Sequence, residues 1–298
     1  MDADIRNLSD ALIGEIFLAL GFSKTGTAFR TFGGLFRKPA DRASTLFVTA
    51  DRMIPSDGFP KAMGWILDHF CRTVNARGVT EIPRSGPLLI LSNHAGTYDS
   101  FVIASRAVRE DLQVIGSDVP FLKKLPNISK HIIFLSDRTA DRSAAARAGM
   151  RTLQAGGTLL LFGTGLIDPD PAVYTGAEDW IGKWLPSIDL FLRAAPDTKV
   201  VLSMASGLVA ELWAHHPITW LKRIDWQRRR LAEFSQVLQQ LFFPGSLYIH
   251  PCISFAPPVG MEELLTESGT GRVLPAAISR GRALLADHLA WVKSLSRE

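Results

Sequence analysis

From residue 79 onward, short apolar runs alternate with longer amphipathic segments. The apolar runs predict strands at residues 87–92, 112–116, 131–136, 157–163, 199–204 and 246–255. Helical periodicity predicts helices between them, at about 98–109, 140–154, 179–194, 225–242 and 275–295. Strands that alternate with helices in this way predict an α/β fold with a mixed, largely parallel sheet flanked by helices.

The chain before residue 79 shows helical periodicity instead. In residues 8–22 one side of a helix would carry Leu8, Leu12, Ile13, Ile16, Phe17, Leu20 and Phe22. Such a stripe indicates internal packing or, alternatively, a helix lying in a membrane surface. Residues 59–78 predict a second helix ended by Gly78, and the breaker-rich segments 36–44 and 53–60 predict connections. We therefore expect an N-terminal helical segment, residues 1–78, followed by an α/β domain, residues 79–298.

The composition argues against several classes of protein. A content of 47% hydrophobic residues is typical of a folded chain, and Cys71 and Cys252 suggest neither a disulfide framework nor a metal cluster. The N-terminus opens with acidic residues, and no apolar run reaches the roughly 18 residues of a membrane-spanning helix. We expect a cytoplasmic protein without bound metal, with peripheral contact with a membrane as an alternative placement.

Basic and aromatic residues are concentrated at residues 220–231, WLKRIDWQRRRL, which contain five lysine or arginine residues and two tryptophans. Cations attract anionic lipid head groups, and indole rings favour the head-group level of a bilayer. Peripheral membrane contact is one interpretation of this stretch, and a solvated helix with its tryptophans turned inward is the other. No nucleic-acid-binding motif accompanies it, so we expect no nucleic-acid partner.

The stretch LSNHAGTYDS, residues 91–100, places His94 and Asp99 five positions apart after a predicted strand. Five helical steps would turn the two side chains about 140° apart, so they can meet only if His94 lies in the loop and Asp99 in the first helical turn. Gly96 permits that bend, and Thr97 is a suitable helix N-cap. A histidine that merely caps the helix is the structural alternative.

A neutral imidazole can take a proton from a hydroxyl while that oxygen attacks a carbonyl. A carboxylate on the other ring nitrogen fixes the tautomer and stabilises the imidazolium that forms. The chain contains no G-x-S-x-G nucleophile motif, so we expect the attacking hydroxyl to belong to a substrate.

Four stretches in order resemble the motif blocks of the glycerolipid acyltransferases, the lysophosphatidate acyltransferase-like superfamily. LSNHAGTYDS resembles the H-x-x-x-x-D block, and HIIFLSDR resembles the second block, which ends in an arginine, here Arg138. LLLFGTG occupies the place of the third block, usually F-P-E-G-T-R, and KVVLSMASGL that of the fourth. The resemblance spans about residues 79–210.

This resemblance implies transfer of a fatty acyl group from an acyl-CoA or acyl-carrier-protein thioester to the hydroxyl of a lipid-like, lysophosphatidate-type acceptor, without a bound cofactor. By the same resemblance His94 is the general base and Asp99 its partner. The implied substrate-binding residues are Asn93, Arg138, Phe162, Gly163, Thr164 and Gly165.

The third block departs from the family pattern. Gly163 and Thr164 replace proline and glutamate, and Leu166 and Ile167 stand where threonine and arginine are usual. Because this block helps to hold the acceptor's phosphate in the family, the departures favour an acceptor without phosphate. The two glycines of FGTG expose backbone N–H groups that suit an anion or an oxyanion, or else form a plain turn.

Other interpretations stay open beside these. Arg138 suits a phosphate but also an ion pair with Asp137 or Asp141. Residues 166–180 predict a loop that acts as a lid or selects the acceptor, with Asp168 and Asp170 as turn residues rather than metal ligands. A thioesterase that uses the same base, or an inactive lipid-binding protein, are the alternative functions.

Overall fold

The computed structural model describes residues 3–19, 23, 26, 31–136 and 138–295. Its centre is a seven-stranded sheet in the order β1-β7-β6-β2-β5-β3-β4. The strands are β1 Asn75–Arg77, β2 Leu88–Ser92, β3 Leu112–Ser117, β4 Ile132–Leu135, β5 Thr158–Phe162, β6 Lys199–Ser206 and β7 Cys252–Phe255. Neighbouring strands are parallel except β6 and β7, which are antiparallel. The mixed, largely parallel sheet predicted from the apolar runs is confirmed.

The described helices lie on both faces of this sheet. They are α1 Ala3–Ala19, α2 Arg37–Asp57, α3 Phe59–Leu67, α4 Asp99–Ala107, α5 Thr139–Gln154, α6 Ala177–Ile181, α7 Ser187–Ala194, α8 Glu211–Ala214, α9 Asp225–Phe242, α10 Met261–Ser268 and α11 Leu274–Leu295. Short 3-10 turns occur at Gly33–Phe36, Val79–Glu81, Leu122–Lys124, Ile128–His131 and Pro217–Leu221.

Strand β2 shows how the sheet divides the core. Leu88 and Ile90 belong to a cluster with α1 to α4 and the end of α9, whereas Leu89 and Leu91 belong to a cluster with α5, α6, α7, α10 and α11. Alternate side chains of a strand point to opposite faces, so a strand covered on both sides is apolar throughout. This is why β2 and β5 read as continuous apolar runs, and every residue of both is buried.

The strand register brings three chain segments together at one edge of the sheet. Ser92, the last residue of β2, is level with Phe162 of β5 on one side and with Ser203 of β6 on the other. The residues that follow β2 therefore emerge between the ends of its two neighbours. In parallel sheets ligands bind at this carboxyl edge.

The N-terminal segment differs from the sequence-based prediction in two places. The connection expected at 36–44 is wrong, because α2 runs through all but its first residue, and the one expected at 53–60 is reduced to Gly58, between the end of α2 and the start of α3. Helices tolerate proline in their first turn, where Pro39 lies, and Pro55 falls in the last turn, just before Gly58 ends α2 at a φ of 91°.

The helix predicted at 59–78 is too long, since α3 ends at Leu67 and residues 75–77 form strand β1. Gly78 ends that strand with a φ of 72°, and a Cβ there would clash with the carbonyl oxygen of Phe255. Because β1 pairs with β7, the sheet includes residues before position 79.

Three later predictions also needed correction. The strand predicted at 246–255 is confined to Cys252–Phe255, and the helix predicted at 179–194 is split into α6 and α7, with Pro186 at the start of the second. Helix α10 was not predicted. None of these differences affects the carboxyl end of β2, which lies just before His94 in the chain.

The apolar stripe of residues 8–22 is turned inward where it is described. Leu8, Ile13, Ile16 and Phe17 are buried, which agrees with the internal-packing interpretation of the stripe. Leu20 and Phe22 lie outside the described residues. Across the described part of the chain, no helix combines the length and apolarity needed to cross a membrane.

Candidate active site

His94 and Asp99 meet at the turn from β2 to α4. Nδ1 of His94 lies 2.7 Å from Oδ2 of Asp99, and the N–H of Gly96 donates to the same oxygen at 3.2 Å. His94 lies in the loop and Asp99 is the first residue of α4, which is the only placement that lets this spacing work. A Cβ on Gly96 would lie 2.9 Å from the Cβ of Leu208, so the space beside Leu208 requires glycine there.

Thr97 does not cap α4, contrary to the sequence-based prediction. The N-cap position belongs to Tyr98, without a side-chain capping bond. The Thr97 hydroxyl instead donates to Oε2 of Glu233 at 2.7 Å. Thr97 therefore ties the His94 loop to α9.

The His94 ring is held on two sides and open on a third. It stacks on Phe162 with 4.3 Å between ring centroids, and its side chain is 28% exposed whereas Asp99 is 1% exposed. The carboxylate of Asp99 accepts from Nδ1–H, which leaves the lone pair of the neutral ring on Nε2. Among the described residues, none hydrogen-bonds to Nε2. That nitrogen is available to a substrate hydroxyl.

Asp168 fixes the backbone of His94. The N–H of His94 donates to Oδ2 of Asp168 at 2.9 Å, and the N–H of Asp168 donates to the His94 carbonyl at 2.7 Å. The Thr164 hydroxyl donates to Oδ1 of Asp168 at 2.5 Å. Asp168 is thus more than the turn residue that was expected, and Thr164 reaches the site through it.

Asp170 holds the loop of residues 166–180 in place. Its buried carboxylate accepts from the N–H groups of Ala172, Gly207, Leu208 and Val209 at 2.7 to 3.0 Å. Four donors satisfy the charge and tie the loop to the residues after β6. The part of the loop around Asp170 is therefore anchored, and a lid movement would have to break these bonds.

The glycines of the third block have structural roles. The N–H of Gly163 donates to the Ser92 carbonyl at 2.9 Å, and that of Gly165 donates to the Phe162 carbonyl at 3.1 Å. A Cβ on Gly163 would overlap the indole of Trp184. Both amides are already bonded within the protein, so this geometry agrees with the turn interpretation rather than with an anion cradle.

Asn93 bridges two strands. Its side-chain amide donates to the Ala205 carbonyl and accepts from the Ala205 N–H, both at 2.9 Å. Asn93 is buried, so both polar atoms are used inside the protein. Its contribution to the site is the position of the neighbouring His94.

Arg138 lies away from His94. It follows β4, three strands from β2, which corresponds to about 14 Å across the sheet. Its side chain is 82% exposed and its Nε lies 2.9 Å from Oδ2 of Asp141. The ion-pair interpretation with Asp141 is the one observed, and Asp137, the other partner considered, lies outside the described residues.

Helix α9 contributes residues that the motif analysis missed. Its inward face carries a buried polar stripe of Arg229, Glu233, Gln236 and Gln240. Arg229 donates to the Ile167 carbonyl at 3.0 Å and lies 4.4 Å from the Trp180 ring. Gln236 accepts from the N–H of Ala210 and Gln240 accepts from the Tyr98 hydroxyl. The signal in the sequence was polar residues at helical spacing, i, i+4, i+7 and i+11.

Three carboxylates surround His94 and change its protonation. Burial opposes the imidazolium, but the charge and hydrogen bond of Asp99, with the charges of Glu233 and Asp168, raise the pKa of His94 to about 9. Burial raises the pKa of Glu233 to about 7, and that of Asp168 to about 6. The site therefore favours a proton on His94 at neutral pH and releases it in alkaline solution.

A pocket of about 420 Å³ lies between residues 171–178 and α11. It shares Pro171, Ala177 and Leu285 with a cavity of about 10 Å³ that reaches Asn93 and Asp168. The pocket therefore lies behind the His94 loop, and its volume is in the range of small-molecule sites.

Comparison with known proteins finds a likeness among solved structures. No protein-family model matches the chain, and no curated protein matches it. Among solved structures, the chain is similar to the 1-acyl-sn-glycerophosphate (LPA) acyltransferase PlsC from Thermotoga maritima. The identity is 16% and the TM-score 0.42, over 93% of this chain and 97% of that one. At this distance the activity has to be inferred from the site itself.

Proposed function

We propose that the protein is an O-acyltransferase that moves a fatty acyl group from a thioester to the hydroxyl of a lipid-like acceptor. The observation that carries the proposal is the His94–Asp99 pair, with a 2.7 Å bond at Nδ1 and an unoccupied Nε2 at the carboxyl edge of the sheet. No described serine, threonine or cysteine hydrogen-bonds to His94, so the nucleophile is supplied from outside the protein.

The reaction follows from this geometry. The acceptor hydroxyl binds at Nε2, and His94 takes its proton as the oxygen attacks the thioester carbonyl. Asp99 stabilises the imidazolium that forms, as the aspartate does in a serine-protease triad. The tetrahedral intermediate then expels the thiolate, which receives the proton from His94. An ester and a free thiol leave, and the base is regenerated.

The charges of the site favour an acceptor without a phosphate near the reacting hydroxyl. Asp168 and Glu233 flank His94, and a phosphate placed there would meet like charge. Arg138, the residue that the family resemblance assigns to the second block, lies three strands away and pairs with Asp141.

The family resemblance implies an acyl thioester as donor, either of coenzyme A or of an acyl-carrier protein, and its thiolate can leave without an acid stronger than the imidazolium. The pocket beside α11 is a candidate for part of the substrate.

The test is release of free thiol from palmitoyl-CoA and from palmitoyl-acyl-carrier protein. Each donor is offered lysophosphatidate, a non-phosphorylated lysolipid such as monoacylglycerol, or no acceptor. We expect release that depends on the acceptor, that is greater with monoacylglycerol, and that is lost in His94→Ala. His69→Ala removes another histidine, which lies in the turn after α3 and bonds to the Trp65 carbonyl, and serves as the matched control.

The other outcomes decide against the proposal. Equal release without acceptor would make the protein a thioesterase, a reaction that the partly exposed His94 ring would also support with water at Nε2. Release unchanged in His94→Ala would remove His94 as the base. No release from either donor, with lipid still bound, would leave a lipid-binding protein without this activity.

A further inference from the structure

A cluster of large apolar side chains is exposed just before α9. Trp220 is 71% exposed and Leu221 77%, and Leu212, Ile218 and Ile224 are also exposed. We call these five residues the Trp220 surface. They lie in α8 and in the turn Pro217–Leu221, both of which pack against α9, and at Ile224, the residue before α9. A concentration of exposed apolar side chains in one segment marks an interaction surface.

The Trp220 surface is accompanied by unpaired positive charge. Within the described part of the chain, Lys222, Arg223 and Arg230 form no ion pair. Arg228 is 3.8 Å from Asp225, and this is a long, exposed contact. Arg223 and Arg230 are exposed and Lys222 is half-buried. Cations beside an exposed indole match the two layers of an anionic membrane surface, the charged head groups and the apolar region below them.

Helix α9 connects this surface to the candidate active site. Ile224 immediately precedes α9, and Glu233, nine residues later, accepts the hydrogen bond from Thr97 in the His94 loop. Nine residues of helix span about 14 Å. Arg229, between the two, contacts the loop at Ile167. A lipid layer against the Trp220 surface would therefore lie close to the site.

We propose that the Trp220 surface docks on an anionic lipid bilayer, with Trp220 and Leu221 inserted at the head-group level and Lys222, Arg223 and Arg230 against lipid phosphates. This docking does not require acyl transfer, so it can be tested without any substrate. The apolar side chains of α1, the other candidate for membrane contact, are buried where they are described.

The experiment is co-sedimentation of the full chain with vesicles of phosphatidylcholine alone or of phosphatidylcholine with phosphatidylglycerol. We expect binding to the anionic vesicles, weakened by added salt. Lys222→Gln with Arg223→Gln is expected to weaken it roughly 25-fold, because each basic residue near an anionic surface strengthens binding about fivefold. Trp220→Ala with Leu221→Ala is expected to weaken binding by at least as much.

Leu185→Ala with Leu190→Ala is the matched control, because both leucines are exposed but lie outside the Trp220 surface, before and within α7. Circular dichroism checks that each variant is folded. Binding of the Trp220 and Leu221 variant equal to that of the wild type would overturn the proposal. So would equal binding to both kinds of vesicle. A stable dimer that this variant converts to a monomer would instead assign the surface to a second copy of the chain.

Discussion

The protonation of His94 predicts an alkaline pH dependence that Asp99 controls. The rise of the His94 pKa from 6.5 to about 9 corresponds to about 3 kcal/mol of preference for the imidazolium, and Asp99 is the largest contributor to that rise. Only about one His94 ring in a hundred is then neutral at pH 7. We therefore expect kcat/KM to increase nearly tenfold per pH unit between pH 7 and pH 8, to reach half of its plateau near pH 9 and to level off at about pH 10.

Asp99→Asn removes the charge and keeps the shape of the side chain. Without the carboxylate, the pKa of His94 should fall towards its ordinary value, so the midpoint of the pH profile should move to lower pH. The plateau of kcat/KM should fall roughly 100-fold or more, because an amide cannot stabilise the imidazolium that forms in the transition state as the carboxylate does.

The assay is initial-rate thiol release at a series of pH values, with a saturating thioester donor and the acceptor varied. Asp57→Asn, which changes an exposed carboxylate paired with Lys61, is the control. A wild-type midpoint near pH 6.5, or a midpoint that Asp99→Asn leaves in place, would refute the electrostatic argument. A plateau that changes less than tenfold would show that Asp99 does not act on the transition state.

Three further changes test the surroundings of His94. The pKa of Glu233 is raised, so its contribution to stability is complete below its unfolded pKa near 4.5 and is lost as pH rises through about 7. Glu233→Gln should therefore raise the melting temperature at pH 8 more than at pH 5. The reverse order would contradict this argument. Gly163→Ala should lower the free energy of unfolding by about 1–3 kcal/mol, because its Cβ overlaps the Trp184 indole, and a urea titration with unchanged stability would contradict it. Arg138→Ala should leave kcat/KM for monoacylglycerol within about twofold in the thiol-release assay, because the exposed guanidinium pairs with Asp141 among the described residues. A loss of tenfold or more would place Arg138 in the site.

The buried strands were predictable because burial on both faces requires apolar or small residues at every position. β2 and β5 are covered on both faces, so every position is apolar or small. Strand β1 was missed because Asn75–Arg77 is short, partly buried and polar at both ends, and its pairing partner β7 is far away in the chain. Helix α2 was not predicted, because proline in a sequence indicates a break, whereas Pro39 and Pro55 lie near the two ends of this helix.

The contacts of the candidate site also differed in how well the sequence predicted them, depending on how far apart in the chain the two residues lie. The contact of His94 with Asp99 could be predicted because five residues and one turn determine it. The contact of Thr97 with Glu233 spans 136 residues, and only the packing of α9 brings them together. The role of Gly163 could not be predicted from the sequence either, because the Trp184 indole that excludes a side chain there comes from the loop before α7.

The charge of the site links the basicity of His94 to the choice of acceptor. The pKa of His94 is already about 9 with three carboxylates around it. A phosphate beside the ring would stabilise the imidazolium further and hold the base in its protonated, inactive form. A cation next to the phosphate would cancel this effect, but Arg138 is paired and three strands away, and Arg229 is bonded to the Ile167 carbonyl. An uncharged acceptor leaves the pKa of His94 where it is, and for that reason we infer that the reacting hydroxyl belongs to a lipid without a phosphate next to it.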